Sequence, residues 1–308
     1  MLCAGLGLTF AKPCPMSEAD IHHAIHQFTY AAGQVQKAGF TGIQLHGAHG
    51  YLISQFLSPL TNRRTDAWGG NLENRARFLM ELIRGIRKVV GPTFPLSLKL
   101  NSSDFQKGGF THAQCLELVA MINNTPLDLI ELSGGSLEQP KVVGMTLKDE
   151  GEDKIKESTK KREAYFIEFA GAVRKIARMP VMVTGGFRSV EGMLFALEHG
   201  ELDVVGLGRP LLVDPQTPAK ILSGEMKVAP TMETQLVMME QLSWFNVQIE
   251  RIAGGLQPDL RIGGPESLTY FMPLESKNFR DLLLYRLRTE FSPRLLLHVC
   301  RQLLGGKK

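Results

Sequence analysis

The stretch TGIQLHGAHGY, residues 41–51, is the starting point for predicting the fold. It begins as an apolar, strand-like run and then breaks into glycines. It also carries His46, His49 and Tyr51, three side chains that handle protons. Because α/β folds bind ligands where strands end, this stretch predicts a strand with a site at its carboxyl end.

Helices and strands alternate around this stretch. Ser17 and Asp20 have the spacing of a capping box, and Gly39 supplies a stop, which predicts a helix directly before residue 41. The predicted strands are 41–47, 94–100, 127–132, 179–186 and 202–208, and the predicted helices that follow are 72–90, 111–122, 162–178 and 189–199. Strands that alternate with helices indicate parallel βαβ units, so we expect an α/β fold.

The alternation of strands and helices stops after about five βα units, whereas a closed (β/α)₈ TIM barrel needs eight. The fold class is therefore predicted as an incomplete TIM barrel of about five βα units, residues 1–225, with a helical C-terminal extension, residues 226–308. The apolar and basic run 281–304 is read as a helix pair packed on the domain, or alternatively as a membrane-surface helix.

Composition excludes several classes of protein. The chain has 35 Lys and Arg against 31 Asp and Glu among 308 residues, spread along its length, so no nucleic-acid partner is expected. Its four cysteines form no CxxC pair, which favours a reducing compartment. No apolar run reaches the roughly 20 residues of a membrane span. A cytoplasmic location is the resulting expectation.

His46 and His49 have two interpretations. Both imidazoles could donate hydrogen bonds to one substrate oxygen, with Tyr51 placed to give a proton to the same ligand. Alternatively, one histidine is structural, or the pair is half of a metal site. No HExxH motif or cysteine cluster supplies further ligands, so no metal is predicted.

Glycines end two consecutive strands. Gly185 and Gly186 follow one strand, and Gly208 with Arg209 follows the next. In α/β barrels such loops bind phosphate, because bare backbone N–H groups approach the anion and an arginine adds a charge-assisted bond. The alternative is that the glycines only permit tight turns.

Lys99 lies inside an otherwise apolar strand, and Asn101 and Asp104 follow it closely. A buried ammonium needs a compensating anion, so a Lys99 that faces the barrel interior should meet negative charge. Otherwise it reaches back to water. The charged stretch 62–78 is interpreted as structural, with Asn71 capping the next helix.

Together these stretches resemble the Old Yellow Enzyme family, the NADH:flavin oxidoreductases and ene-reductases. GFTGIQLHGAHGYLISQFLSP, NRRTDAWGGNLENRARF, VTGGF and VGLGRP carry the resemblance in this order, and LKLNSSDFQKGGF is similar to a fungal-type branch. The match runs from about residue 10 to residue 215.

The resemblance implies a role for each motif. His46 and His49 match the pair that binds the substrate oxygen through hydrogen bonds, and Tyr51 matches the residue that donates a proton to the substrate. Lys99 matches the cation near the flavin ring, in place of the more usual arginine. The FMN phosphate loops are matched by Gly185, Gly186, Gly208 and Arg209. FMN is the implied cofactor, with NADH or NADPH as hydride donor.

The implied activity is reduction of an activated C=C bond in a small-molecule substrate. A redox-neutral isomerase or epimerase, and an inactive remnant that binds a partner, stay as alternatives. Family members carry about three more strands ahead of residue 1. A truncated gene model, recruitment of a second chain as in a homo-oligomer, and loss of redox function would each account for that difference.

Overall fold

The structure is a computed structural model that describes residues 14–134, 167–232, 235–236 and 238–270. The elements of the first part are α1 Glu18–Lys37, β1 Ile43–Gly47, α2 Leu52–Leu57, α3 Leu72–Val90, β2 Leu96–Asn101, α4 His112–Ile122 and β3 Leu129–Ser133. Those of the second part are α5 Ile167–Arg174, β4 Val181–Thr184, α6 Val190–Glu198, β5 Val204–Gly206, α7 Arg209–Val213, α8 Thr217–Leu222 and α9 Met238–Ala253.

The five strands form one sheet in the order β1-β2-β3-β4-β5, and every neighbouring pair is parallel. Each strand lies within one or two residues of a predicted one, and a helix connects most consecutive strands. The predicted α/β class with about five βα units is therefore confirmed. The carboxyl ends of all five strands lie at one edge of the sheet.

One face of the sheet is apolar. Its side chains are buried, and they include Leu45, Leu98, Leu100, Ile130, Leu132 and Val183. Helix α3 buries Leu79, Leu82, Ile83 and Ile86, which repeat at helical spacing and form one face of that helix. Helix α1 packs against α3.

The predicted helix caps are present. Ser17 and Asp20 form a reciprocal capping box at the start of α1, and Gly39 takes a φ of 85° directly after its end. Asn71 accepts a hydrogen bond from the Asn74 amide at the start of α3. The loop before α3 is held by polar side chains as expected, because Arg64 pairs with Asp66.

The chain divides into two compact units. The first ends at Gly208 and also contains Lys227–Ala229, and the second comprises Arg209–Met226 and the chain from Pro230 onward. In the second unit, buried Leu236, Trp244, Val247 and Ile262 form a small core. The predicted boundary at residue 225 stays a prediction, as does the two-domain assignment itself.

Some predictions concern residues that lie outside the part of the chain that the structure describes. These are the helix pair at 281–304 and the first part of the helix predicted at 162–178. Among the helices that the structure describes, none is long and apolar enough to cross a membrane.

Candidate active site

The second face of the sheet carries polar side chains where the first carries aliphatic ones. His46 on β1 is in register with Lys99 on β2, and Lys99 is in register with Glu131 on β3. Because side chains alternate along a strand, Gln44 and His46 share this face while Leu45 points to the core. The sheet therefore presents a row of ionisable groups beside its carboxyl edge.

The structure brings the three predicted catalytic residues together. The ring centroids of His46 and His49 are 4.9 Å apart, and those of His46 and Tyr51 are 5.0 Å apart. Tyr51 precedes α2 and is 51% exposed. The rings of His46 and Tyr51 make no hydrogen bond to the rest of the described chain, so their polar atoms can serve a ligand.

His49 is held in an unusual backbone conformation. Its φ is 61°, in the left-handed region that residues other than glycine rarely adopt, and Gly50 follows with a φ of 80°. The glycines in this stretch thus let the chain turn sharply between β1 and α2. This turn places His49 and Tyr51 beside His46.

Both imidazoles are held in the neutral form. Burial is the largest cause that lowers the pKa of His49, to about 4, and the charges of His46 and Lys99 add to it against the pull of Glu131. Desolvation of its ring also lowers the pKa of His46, and Lys99 contributes in the same direction. At neutral pH each ring can therefore donate one N–H without carrying a charge.

Lys99 meets negative charge on this face, as expected for a lysine inside an apolar strand. Its Nζ lies 2.8 Å from Oε1 of Glu131, whose side chain is only 6% exposed. The other carboxylate oxygen accepts a hydrogen bond of 2.9 Å from Nε2 of Gln44. Glu131 on β3 thus bonds to side chains of both β1 and β2.

Burial alone would raise the pKa of Glu131. The hydrogen bond and charge of Lys99 outweigh that effect and hold its pKa below the usual value. The hydroxyl of Thr184 also contributes to the lowered pKa of this carboxylate, although it makes no hydrogen bond of normal geometry with a described residue. The carboxylate is therefore ionised at neutral pH and neutralises Lys99.

The predicted phosphate-loop glycines differ in whether their backbone conformation requires glycine. Gly185 and Gly186 have φ values of 111° and 90°, so the turn after β4 needs glycine for its conformation. Gly208 has no positive φ, and a Cβ there would meet nothing within 4 Å. Arg209 begins α7 in the second unit. Phosphate binding by these residues stays a prediction.

Sequence reasoning missed several residues of this face. Glu131 sits in a strand as apolar as that of Lys99, so the same test for a buried charge could have found it. Ser133 and Asn101 bond to His49, a partner that the sequence did not indicate because both contacts depend on strand register. No group of three or more His, Cys, Asp or Glu side chains that could hold a metal ion is found in the described part.

Consecutive parallel βα units, with polar groups gathered at the carboxyl edge of the sheet, are the arrangement of α/β enzymes that bind ligands at the ends of their strands. The chain belongs to the NADH:flavin oxidoreductase / NADH oxidase family, whose model matches residues 6–227. This confirms the resemblance drawn from the motifs.

Curated relatives carry related names. The chain is 36% identical to the NADH-dependent flavin oxidoreductase nadA of Aspergillus parasiticus, a match that covers 82% of this chain and 55% of that protein. It is 39% identical to the NADH-dependent flavin oxidoreductase iliE of Neonectria sp., over 68% of this chain and 27% of that protein. The chain therefore spans about half or less of the length of these relatives.

Solved structures share the fold. A complex of 2-naphthoyl-CoA reductase with 2-naphthoyl-CoA is 32% identical, with a TM-score of 0.61 over 71% of this chain and 32% of the other. Histamine dehydrogenase from Rhizobium sp. 4-9 is 32% identical, with a TM-score of 0.58 over 68% of this chain and 28% of the other. Morphinone reductase with tetrahydroNAD, at 23% identity and a TM-score of 0.54, supports the fold alone. The described sheet thus corresponds to part of a TIM barrel.

Proposed function

We propose that this chain carries the substrate-facing residues of an FMN-dependent oxidoreductase that uses NADH or NADPH to reduce an activated C=C bond. The observation that carries the proposal is the proximity of two neutral imidazoles, with the exposed phenol of Tyr51 against the ring of His46, at the carboxyl edge of a parallel sheet. Family membership and the names of the relatives support it.

The two imidazoles act on the substrate oxygen. When an enone or nitro compound accepts hydride, negative charge develops on that oxygen, and neutral N–H donors stabilise it without the cost of burying another cation. His46 and His49 are close enough to serve one oxygen, because their ring centroids are 4.9 Å apart. They polarise the substrate and orient it.

Tyr51 supplies the proton. Reduction of a C=C bond adds a hydride to one carbon and a proton to its neighbour, so a positioned acid completes the reaction. Tyr51 is half exposed, and its ring centroid lies 5.0 Å from that of His46, which supports a role at the same ligand. It is the acid in this proposal.

The residues present fit FMN as the cofactor. Gly185 and Gly186 turn the backbone sharply after β4, and the space beside Gly208 is open, as close approach to a phosphate requires. Lys99 offers a cation on the polar face, although Glu131 shares it. When bound, FMN supplies the hydride from its ring.

Titration of the purified chain with FMN tests the proposal. A changed visible flavin spectrum, followed by bleaching on addition of NADH or NADPH and recovery on addition of an enone such as 2-cyclohexenone, is expected. Replacing both His46 and His49 by alanine should abolish the recovery while FMN stays bound. His23→Ala, a change on the exposed side of α1, is the matched control. Absence of FMN binding at micromolar concentration would defeat the proposal for this chain.

A further inference from the structure

His49 forms hydrogen bonds to residues at the ends of two neighbouring strands. Its backbone N–H donates to Oδ1 of Asn101 over 3.3 Å, and Nε2 of its ring lies 2.7 Å from Oγ of Ser133. Asn101 and Ser133 are register partners at the carboxyl ends of β2 and β3. They are 1% and 2% exposed, so both partners are buried, whereas His49 itself is half-buried.

Asn101 fixes the backbone of His49. Its Nδ2 donates to Oδ1 of Asp104 over 2.9 Å, which assigns its other atom, Oδ1, as the acceptor for His49. The second carboxylate oxygen of Asp104 accepts from the Phe110 amide over 2.9 Å. This chain of bonds offsets the cost of a left-handed φ, which is roughly 1–3 kcal/mol.

Ser133 forms a hydrogen bond with the ring of the same histidine. Most buried hydroxyls donate their proton to an acceptor. Among the described residues, the Ser133 hydroxyl has no other side-chain partner than His49. A neutral imidazole carries one lone pair and one N–H, so an O–H donated to Nε2 leaves the imidazole proton on Nδ1.

We propose that Ser133 is a positioning residue for His49: it donates its hydroxyl proton to Nε2 and thereby makes Nδ1–H the donor that faces the ligand oxygen. The ligand part rests on the proposed function, whereas the tautomer does not. For the substrate side of the site, sequence motifs point to His46, His49 and Tyr51, and Ser133 adds a residue that sets how His49 works.

The tautomer is measured on the chain without FMN. Long-range ¹H–¹⁵N NMR of the histidine rings at pH 7 separates the two tautomers, and loss of one spin system in His49→Gln assigns the signal. Wild-type protein is expected to hold the Nδ1–H form of His49. Ser133→Ala should shift the ring to a mixture dominated by Nε2–H, and Ser133→Thr, which keeps the hydroxyl, should restore Nδ1–H.

Ser102→Ala is the matched control. Ser102 is also buried, follows β2, and its hydroxyl has no partner among the described residues. Its removal should leave the His49 signal unchanged. A dominant Nε2–H form in wild-type protein, or a Ser133→Ala spectrum identical to wild type, would overturn the proposal.

Ligand binding gives the second readout. With FMN bound, 4-chlorophenol should bind Ser133→Ala roughly tenfold more weakly than wild type, as expected for one misdirected hydrogen bond. FMN affinity should not change, because Ser133 acts on the ring of His49. If FMN does not bind at all, the proposed function fails while the NMR result still decides the role of Ser133. Equal phenol affinity in both proteins would refute the ligand part.

Discussion

The Lys99–Glu131 pair allows an asymmetric prediction. At 2.8 Å the two charges attract with roughly 6 kcal/mol in an effective dielectric of about 20, most of which is offset by their desolvation. The partners differ in exposure: the side chain of Glu131 is 6% exposed and that of Lys99 is 22% exposed. A lysine that loses its partner can therefore reach water, whereas the carboxylate cannot.

We expect Lys99→Met to lower the free energy of unfolding by about 3 kcal/mol at pH 7, because it leaves a buried carboxylate without its cation. Glu131→Gln should cost only about 1–2 kcal/mol. The double variant should cost less than the sum of the two, with a coupling of about 2 kcal/mol. The Lys99→Met deficit should shrink at pH 5, since unopposed burial raises the pKa of Glu131 and lets it take up a proton.

Urea unfolding measures these values. The chain has two tryptophans, buried Trp68 in the first unit and buried Trp244 in the second. In a Trp244→Phe background the fluorescence of Trp68 therefore reports on the unit that contains the pair. Equal costs for the two single variants, or additive costs in the double variant, would refute the reasoning.

Four further predictions follow from single residues. The folded pKa of His49, about 4, lies below the ordinary 6.5, so stability should fall by roughly 1–3 kcal/mol as the pH drops from about 6.5 to 4; urea unfolding of His49→Gln should show a flatter pH profile. Gly206→Ala should cost more than about 2 kcal/mol, because its Cβ would lie 2.0 Å from the Thr184 hydroxyl oxygen. Gly208→Ala should unfold like wild type in urea yet weaken binding in an FMN titration, since only a ligand would fill the space beside it. Asn71→Ala should lower stability by about 1 kcal/mol in thermal unfolding through loss of the α3 cap.

Local patterns were sufficient to predict the sheet and its helices. The period of apolar residues, the capping box at Ser17 and the cap at Asn71 act over a few residues, so they can be read directly from the sequence. The proximity of His46, His49 and Tyr51 was also predictable, because all three belong to one strand and the turn that follows it.

Contacts between strands could not be predicted in the same way. Glu131 meets Lys99, and Ser133 meets His49, only because the parallel register aligns residues that are 32 and 84 positions apart. A shift of register by one residue would turn these side chains to the other face. Sequence analysis expected an anion for Lys99 if its side chain faced the barrel interior, but it had no means of naming that anion.

The most direct test of the account is titration of 4-chlorophenol into the FMN-bound chain, compared with the variant in which both His46 and His49 are alanine. Visible absorption reports phenol bound next to the flavin, and the flavin band itself reports that FMN is retained. We predict that the double variant keeps FMN and loses phenol affinity by at least about 100-fold, as two lost hydrogen bonds imply. Unchanged phenol affinity, or equal loss of FMN, would show that the paired imidazoles do not form the ligand site.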